Sequence, residues 1–160
     1  MPIKTNSIST IKKELKDLPK EVLVEHCIRL AKYKKENKEL LHYLLYEASD
    51  EENYINEIKL EIEDGFKGIN KNTLYFAKKT IRKVLRIVTK HIKYSGKKTT
   101  QIELLIHFCY VMKNCNVPFK NSKVLKNLYE RQVSNIYKAM DTLHEDIKLD
   151  YEDDLEKIKL

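Results

Sequence analysis

The chain has no tryptophan and only three glycines and three prolines in 160 residues. So little turn-forming material excludes an all-β fold, whose tight reversals draw on glycine and proline. Cysteine is scarce and odd in number: Cys27, Cys109 and Cys115 sit among apolar neighbours, where a free thiol behaves as a small hydrophobe, and no disulfide framework is implied. Long apolar runs are missing as well. The longest nearly unbroken stretch, 104–112, is interrupted by His107 and is half a membrane span, and the opening MPIKTNSIST lacks the apolar core of a signal peptide. The expectation is a cytoplasmic protein with no membrane partner.

One absence is local. From Gly65 to Ile102 there is no Asp or Glu, while eleven bases occur there: Lys67, Lys71, Lys78, Lys79, Arg82, Lys83, Arg86, Lys90, Lys93, Lys97 and Lys98. That run exceeds the net charge of the whole chain, +7. Lysine outnumbers arginine by 27 to 4, and an ammonium is a hydrated point charge rather than a fork shaped for phosphate. The distribution is therefore more informative than the total. Residues 1–64 carry −3, 65–102 carry +11, 103–140 carry +4 and 141–160 carry −5, a separation of sign that uniform lysine bias does not produce.

What is present is helical periodicity almost from end to end. Hydrophobic content of 42% with 34% charged residues describes a chain able to bury a core, and the length suits one domain. The reading is an all-α antiparallel bundle or stack of helical hairpins with about six to seven helices. A single helical domain is expected over 1–150, with 151–160 as an acidic tail. Ser9 or Thr10 caps a first helix, Pro19 opens a second, Asn37 caps a third, and Ser49 with Glu52 forms a capping box for a fourth that frays at Gly65 and Gly68. The fifth, about 73–94, carries Leu74, Ala77, Ile81, Val84, Leu85, Val88 and Ile92 as its stripe and stops at Gly96. Thr100 and Glu103 have capping-box spacing for a sixth helix, apolar on most sides and so the central buried helix, near 100–115. A seventh begins at Asn121 or Ser122 and reaches Ile147.

On a wheel with Leu74 at zero, Lys79, Arg82, Lys83, Arg86, Lys90, Lys93 and Lys97 fall at roughly 80–180°, away from the apolar positions. These seven are the candidate partner-binding residues. A nucleic-acid backbone or an acidic protein surface is the partner such a stripe suits, with Arg82 and Arg86 as the phosphate forks. The acidic segment 141–156 is an internal competitor for the same stripe.

A carboxylate pattern is the second candidate. Glu36-x-x-Glu39 is followed after 21 residues by Glu61-x-x-Asp64. It resembles the E-x-x-E and E-x-x-D pair of all-α nucleotide pyrophosphohydrolases of the MazG type, and that resemblance implies four carboxylates holding magnesium around a triphosphate. Wheel geometry sets these carboxylates opposite Ile55, Ile58, Ile62 and the 40–48 apolar stripe, whereas bundle metal ligands project inward. No C-x-x-C or H-x-x-x-H pair accompanies the cysteines and histidines, and the glycines fit neither a Walker nor a Rossmann spacing, so no cofactor is expected. The segment from Ile11 through Leu15, Leu18 and Pro19 to Leu30 resembles the start of small helical bacterial domains, which implies a helical fold and no activity.

Overall fold

The computed structural model describes residues 4–160. Among these all regular structure is helical: α1 (Ile8–Lys16), α2 (Lys20–Tyr33), α3 (Lys35–His42), a π-turn (Tyr43–Glu47), α4 (Glu51–Phe66), α5 (Leu74–Ser95), α6 (Lys98–Asn114), a 3-10 turn (Phe119–Asn121), α7 (Lys123–Met140), α8 (Glu145–Leu149) and α9 (Glu152–Ile158). The all-α expectation holds, with nine α-helices rather than six or seven among the described residues. The difference arises after residue 140. The Thr142 hydroxyl donates to the Ala139 carbonyl at 2.7 Å and His144 turns extended, which ends α7 at Met140 instead of carrying it to Ile147.

Two compact units divide the chain, the first ending at Tyr46 and the second running Glu47–Leu160. In the first, Ser7 rather than Ser9 or Thr10 caps α1, its Oγ accepting from the Thr10 N–H at 3.2 Å. Asn37 does not cap a helix. Its amide donates to the Leu30 carbonyl at 2.8 Å, tying α3 to the end of α2. No residue of α1, α2 or α3 is buried. Cys27, Leu30, Ala31, Leu40, Leu41 and Leu44 line an open, largely apolar groove between α2 and α3.

The second unit has a true core. α6 lies at its centre, packed by α4, α5, α7 and α9, with Ile102, Leu104, Phe108, Cys109 and Met112 fully enclosed. Its sequence is apolar on most sides, and a helix without a polar face has nowhere else to go. The Phe66 ring of α4 meets Phe108 at 5.8 Å between centroids. Packing also corrects one expectation about helix ends. α6 starts at Lys98, so Thr100 and Glu103 form no capping box: Thr100 is buried inside the helix, and Glu103 pairs with Lys59 of α4 at 2.9 Å. α4 ends at Phe66, between Gly65 and Gly68 as the two glycines lead one to expect, and Gly65 lies close against Val84 of α5. Gly96 stops α5 as expected, left-handed at φ 69°, its N–H donating to the Ile92 carbonyl at 2.9 Å.

The last ten residues are held down on the second unit. Leu155 and Ile158 of α9 are buried against the bundle, with α9 on α6. The Tyr129 hydroxyl donates to the Ile158 carbonyl at 2.6 Å, and burial pushes that phenol well above its ordinary pKa, keeping it a donor. The Lys113 ammonium donates to the Lys157 and Lys159 carbonyls at 2.9 and 2.5 Å, placing a cation at the negative end of α9. Among the described residues no helix is long and apolar enough to cross a membrane.

Candidate polyanion interface

Helix α5 begins from a turn that polar side chains build. Asn70 Oδ1 accepts from the N–H groups of Asn72 and Thr73 at 3.0 and 2.8 Å, which satisfies donors the helix start leaves open. From there 22 residues run about 33 Å. Ala77, Ile81, Val84 and Val88 are buried on one face, and α5 packs through that side on α4 and α6. The charged residues have no choice of face, since four buried positions at helical spacing fix the rotation of the whole helix.

Lys79, Arg82, Lys83, Arg86 and Lys93 are exposed and make no ion pair or hydrogen bond among the described residues. Lys83 shares a shallow depression with Glu61 and Asp64 without pairing to either. Lys90 is half-buried, its ammonium 5.9 Å from the Tyr94 ring centre. Lys97 stands apart from the other six. It precedes α6 and pairs with Glu51 Oε2 at 2.9 Å, so its charge is largely neutralised within the protein. The segment 141–160 does not neutralise the ridge. Among the described residues its ion pairs are local: His144 with Asp146, Lys148 with Glu145, Lys157 with Asp154 and Lys159 with Glu156.

Two uncharged residues share this face and are easily overlooked in the sequence. Tyr75 and Phe76 open α5 and are 64% and 52% exposed, their rings edge to face at 5.3 Å. The wheel contains the signal: with Leu74 at zero they fall at about 100° and 200°, the first in the middle of the basic sector and the second at its edge.

The carboxylates of the second candidate are placed otherwise. In the first unit Glu36 is exposed and Glu39 faces Lys35 at 3.6 Å. In the second unit Asp64 pairs with Lys67 at 2.5 Å, and Glu61 lies 3.5 Å from Nε2 of His91, whose Nδ1 meets the Tyr54 hydroxyl at 2.7 Å. Glu61 therefore belongs to a chain of contacts joining α4 to α5. No group of three or more His, Cys, Asp or Glu residues is arranged to hold a metal among the described residues. His107 lies 3.1 Å from Glu63 in a cleft with Lys59, Glu103 and Tyr151, and desolvation lowers its pKa. Cys109 is buried, which pushes its thiol up to about 12 and keeps it protonated and inert.

No protein-family model, curated protein or solved structure matches this chain. What the fold and its most distinctive surface define is an all-α protein with a cationic ridge on one helix of its larger unit.

Proposed function

We propose that this chain is a non-enzymatic helical binding protein whose α5 ridge engages nucleic acid through the phosphate backbone. One observation carries the reading: five exposed cations, Lys79, Arg82, Lys83, Arg86 and Lys93, share one side of a helix anchored by its other side, with no acid of the described residues paired to them. Like charges three and four residues apart repel by a few tenths of a kcal/mol per pair. A polyanion relieves that repulsion and releases its own counterions, which makes attraction strong at low salt and steeply weaker as salt rises. Arg82 and Arg86 sit one turn apart at the middle of the ridge, where two forks meet successive phosphate oxygens. With Arg82 and Arg86 committed to phosphates, the ridge has no Asn or Gln to read an adenine edge, and attachment is expected to be largely indifferent to sequence.

Fluorescence anisotropy with labelled oligonucleotides over a salt series tests this. Binding is expected at low salt, with log K falling linearly against log salt. The double substitution Arg82→Glu/Arg86→Glu is expected to weaken binding at least about tenfold and to flatten the slope by about one for each phosphate no longer neutralised. Both side chains are exposed, so far-UV circular dichroism should be unchanged. Absence of binding at low salt, or binding unaffected by the charge reversal, defeats the proposal.

A further inference from the structure

Given that reading of the ridge, we infer that its preferred occupant is single-stranded nucleic acid, with an unpaired base stacked on the aromatic pair Tyr75 and Phe76. The phenylalanines of the chain make the point. Phe66, Phe108 and Phe119 are 6%, 0% and 3% exposed, while Phe76 is 52% exposed beside a Tyr75 that is 64% exposed. Aromatic rings carry a large apolar surface that folding normally hides. Here two adjacent ones stand in water on a helix whose inward positions are already filled by Ala77, Ile81, Val84 and Val88.

Their position is as informative as their exposure. Tyr75, Lys79, Arg82, Arg86, Lys90 and Lys93 follow at steps of four, three, four, four and three residues, so one straight row runs from a ring through the cations. At 1.5 Å per residue the row spans about 27 Å, with Lys79 about 6 Å and Arg82 about 10 Å from the ring along the axis. A strand laid along it has its phosphates at the cations and its terminal bases at the rings. Strand state is what the rings sense. In a duplex every base face is covered by its neighbours, whereas an unpaired base presents a face of any sequence to an aromatic side chain. Tyr75 and Phe76 meet edge to face at 78°, each restricting the rotamer of the other, which favours a preformed platform for one base over two parallel ones. The carboxylates of an acidic peptide would satisfy the cations equally well but offer no extended flat face to the rings, whereas every nucleotide carries one.

The test compares a labelled single-stranded DNA and RNA of mixed sequence, the corresponding DNA duplex and polyglutamate, each titrated with the intact chain. Wild-type protein is expected to prefer the single strands. Tyr75→Leu/Phe76→Leu keeps apolar bulk and exposure but removes the rings, and is expected to cost about 5- to 10-fold on single strands with little change on duplex and no change in salt slope. Unaltered single-strand affinity in this variant, or an equal loss on duplex, overturns the stacking inference and leaves the ridge reading standing. Tighter binding of polyglutamate than of either strand overturns the inference as well. No binding to any nucleic acid ends both.

Discussion

Replacing Glu51 by Ala is expected to destabilise the second unit by about 2–4 kcal/mol, seen as a fall of roughly 4–16 °C in its thermal midpoint. The magnitude comes from how many groups lean on one carboxylate. Glu51 Oε1 accepts from the hydroxyls of Ser95 at 2.5 Å and Thr100 at 2.6 Å, and Oε2 accepts from the Lys97 ammonium at 2.9 Å. These donors come from the end of α5, the turn and the first residues of α6, so one side chain of α4 fixes the reversal between the two helices. Lys97 is half exposed and recovers its hydration when the carboxylate is removed. Thr100 is fully buried and cannot. Its hydroxyl retains only Ser95 Oγ, at 3.0 Å. Glu51→Gln keeps the acceptor and the shape but loses the charge, and should fall between wild type and alanine. A midpoint for Glu51→Ala within a degree of wild type, measured by calorimetry, would show that the clasp is dispensable.

Gly65→Ala carries the second large effect, and its sign depends on a neighbour. In an exposed helix the change is stabilising by about 1 kcal/mol. Here a Cβ at position 65 would stand 2.6 Å from Val84 Cγ2, with Val84 Cβ and Cγ1 at 3.7 Å. Val84 is 1% exposed and β-branched, so it has no second rotamer to retreat into and α5 itself must shift. Overpacking of this kind costs about 1–3 kcal/mol, which outweighs the helix gain. Val84→Ala loses stability alone by opening a cavity, but it also clears the space. In that background Gly65→Ala is expected to become neutral or stabilising. Denaturant titration of the four proteins of this cycle gives the coupling, and additivity within about 0.5 kcal/mol would contradict the close approach.

These two sites explain where sequence reading stops. The stripes of α4, α5, α6 and α7 are legible because 3.6-residue periodicity is imposed by one buried face per helix, and the basic ridge follows from it once Ile81, Val84 and Val88 are set inward. Gly65 and Thr100 each have a role that their local sequence does not give. Locally one is a helix breaker and the other half of a capping box, but tertiary contacts with Val84 and Glu51 decide what each does. Residues 151–160 read as an acidic tail because only Leu155 and Ile158, three apart, signal a helix there, and the anchors Tyr129 and Lys113 lie far away in sequence. Tyr75 and Phe76 are legible in angle but not in exposure. A wheel says which side a residue occupies, and only the packed neighbours say whether anything covers it.

The first unit leads to a conclusion about time rather than place. Nothing in α1, α2 or α3 is buried, and Val24, Ile28, Leu30, Leu44 and Leu45 are all more than 45% exposed. Backbone hydrogen bonds in such helices are guarded by little desolvated surface, so opening them gives up little free energy. The core around Phe108 and Met112 must be disrupted before its own helices open. The chain is therefore expected to keep two clocks in hydrogen exchange, with amides of α1, α2 and α3 meeting solvent by local fraying and those of α6 only in rare, global events.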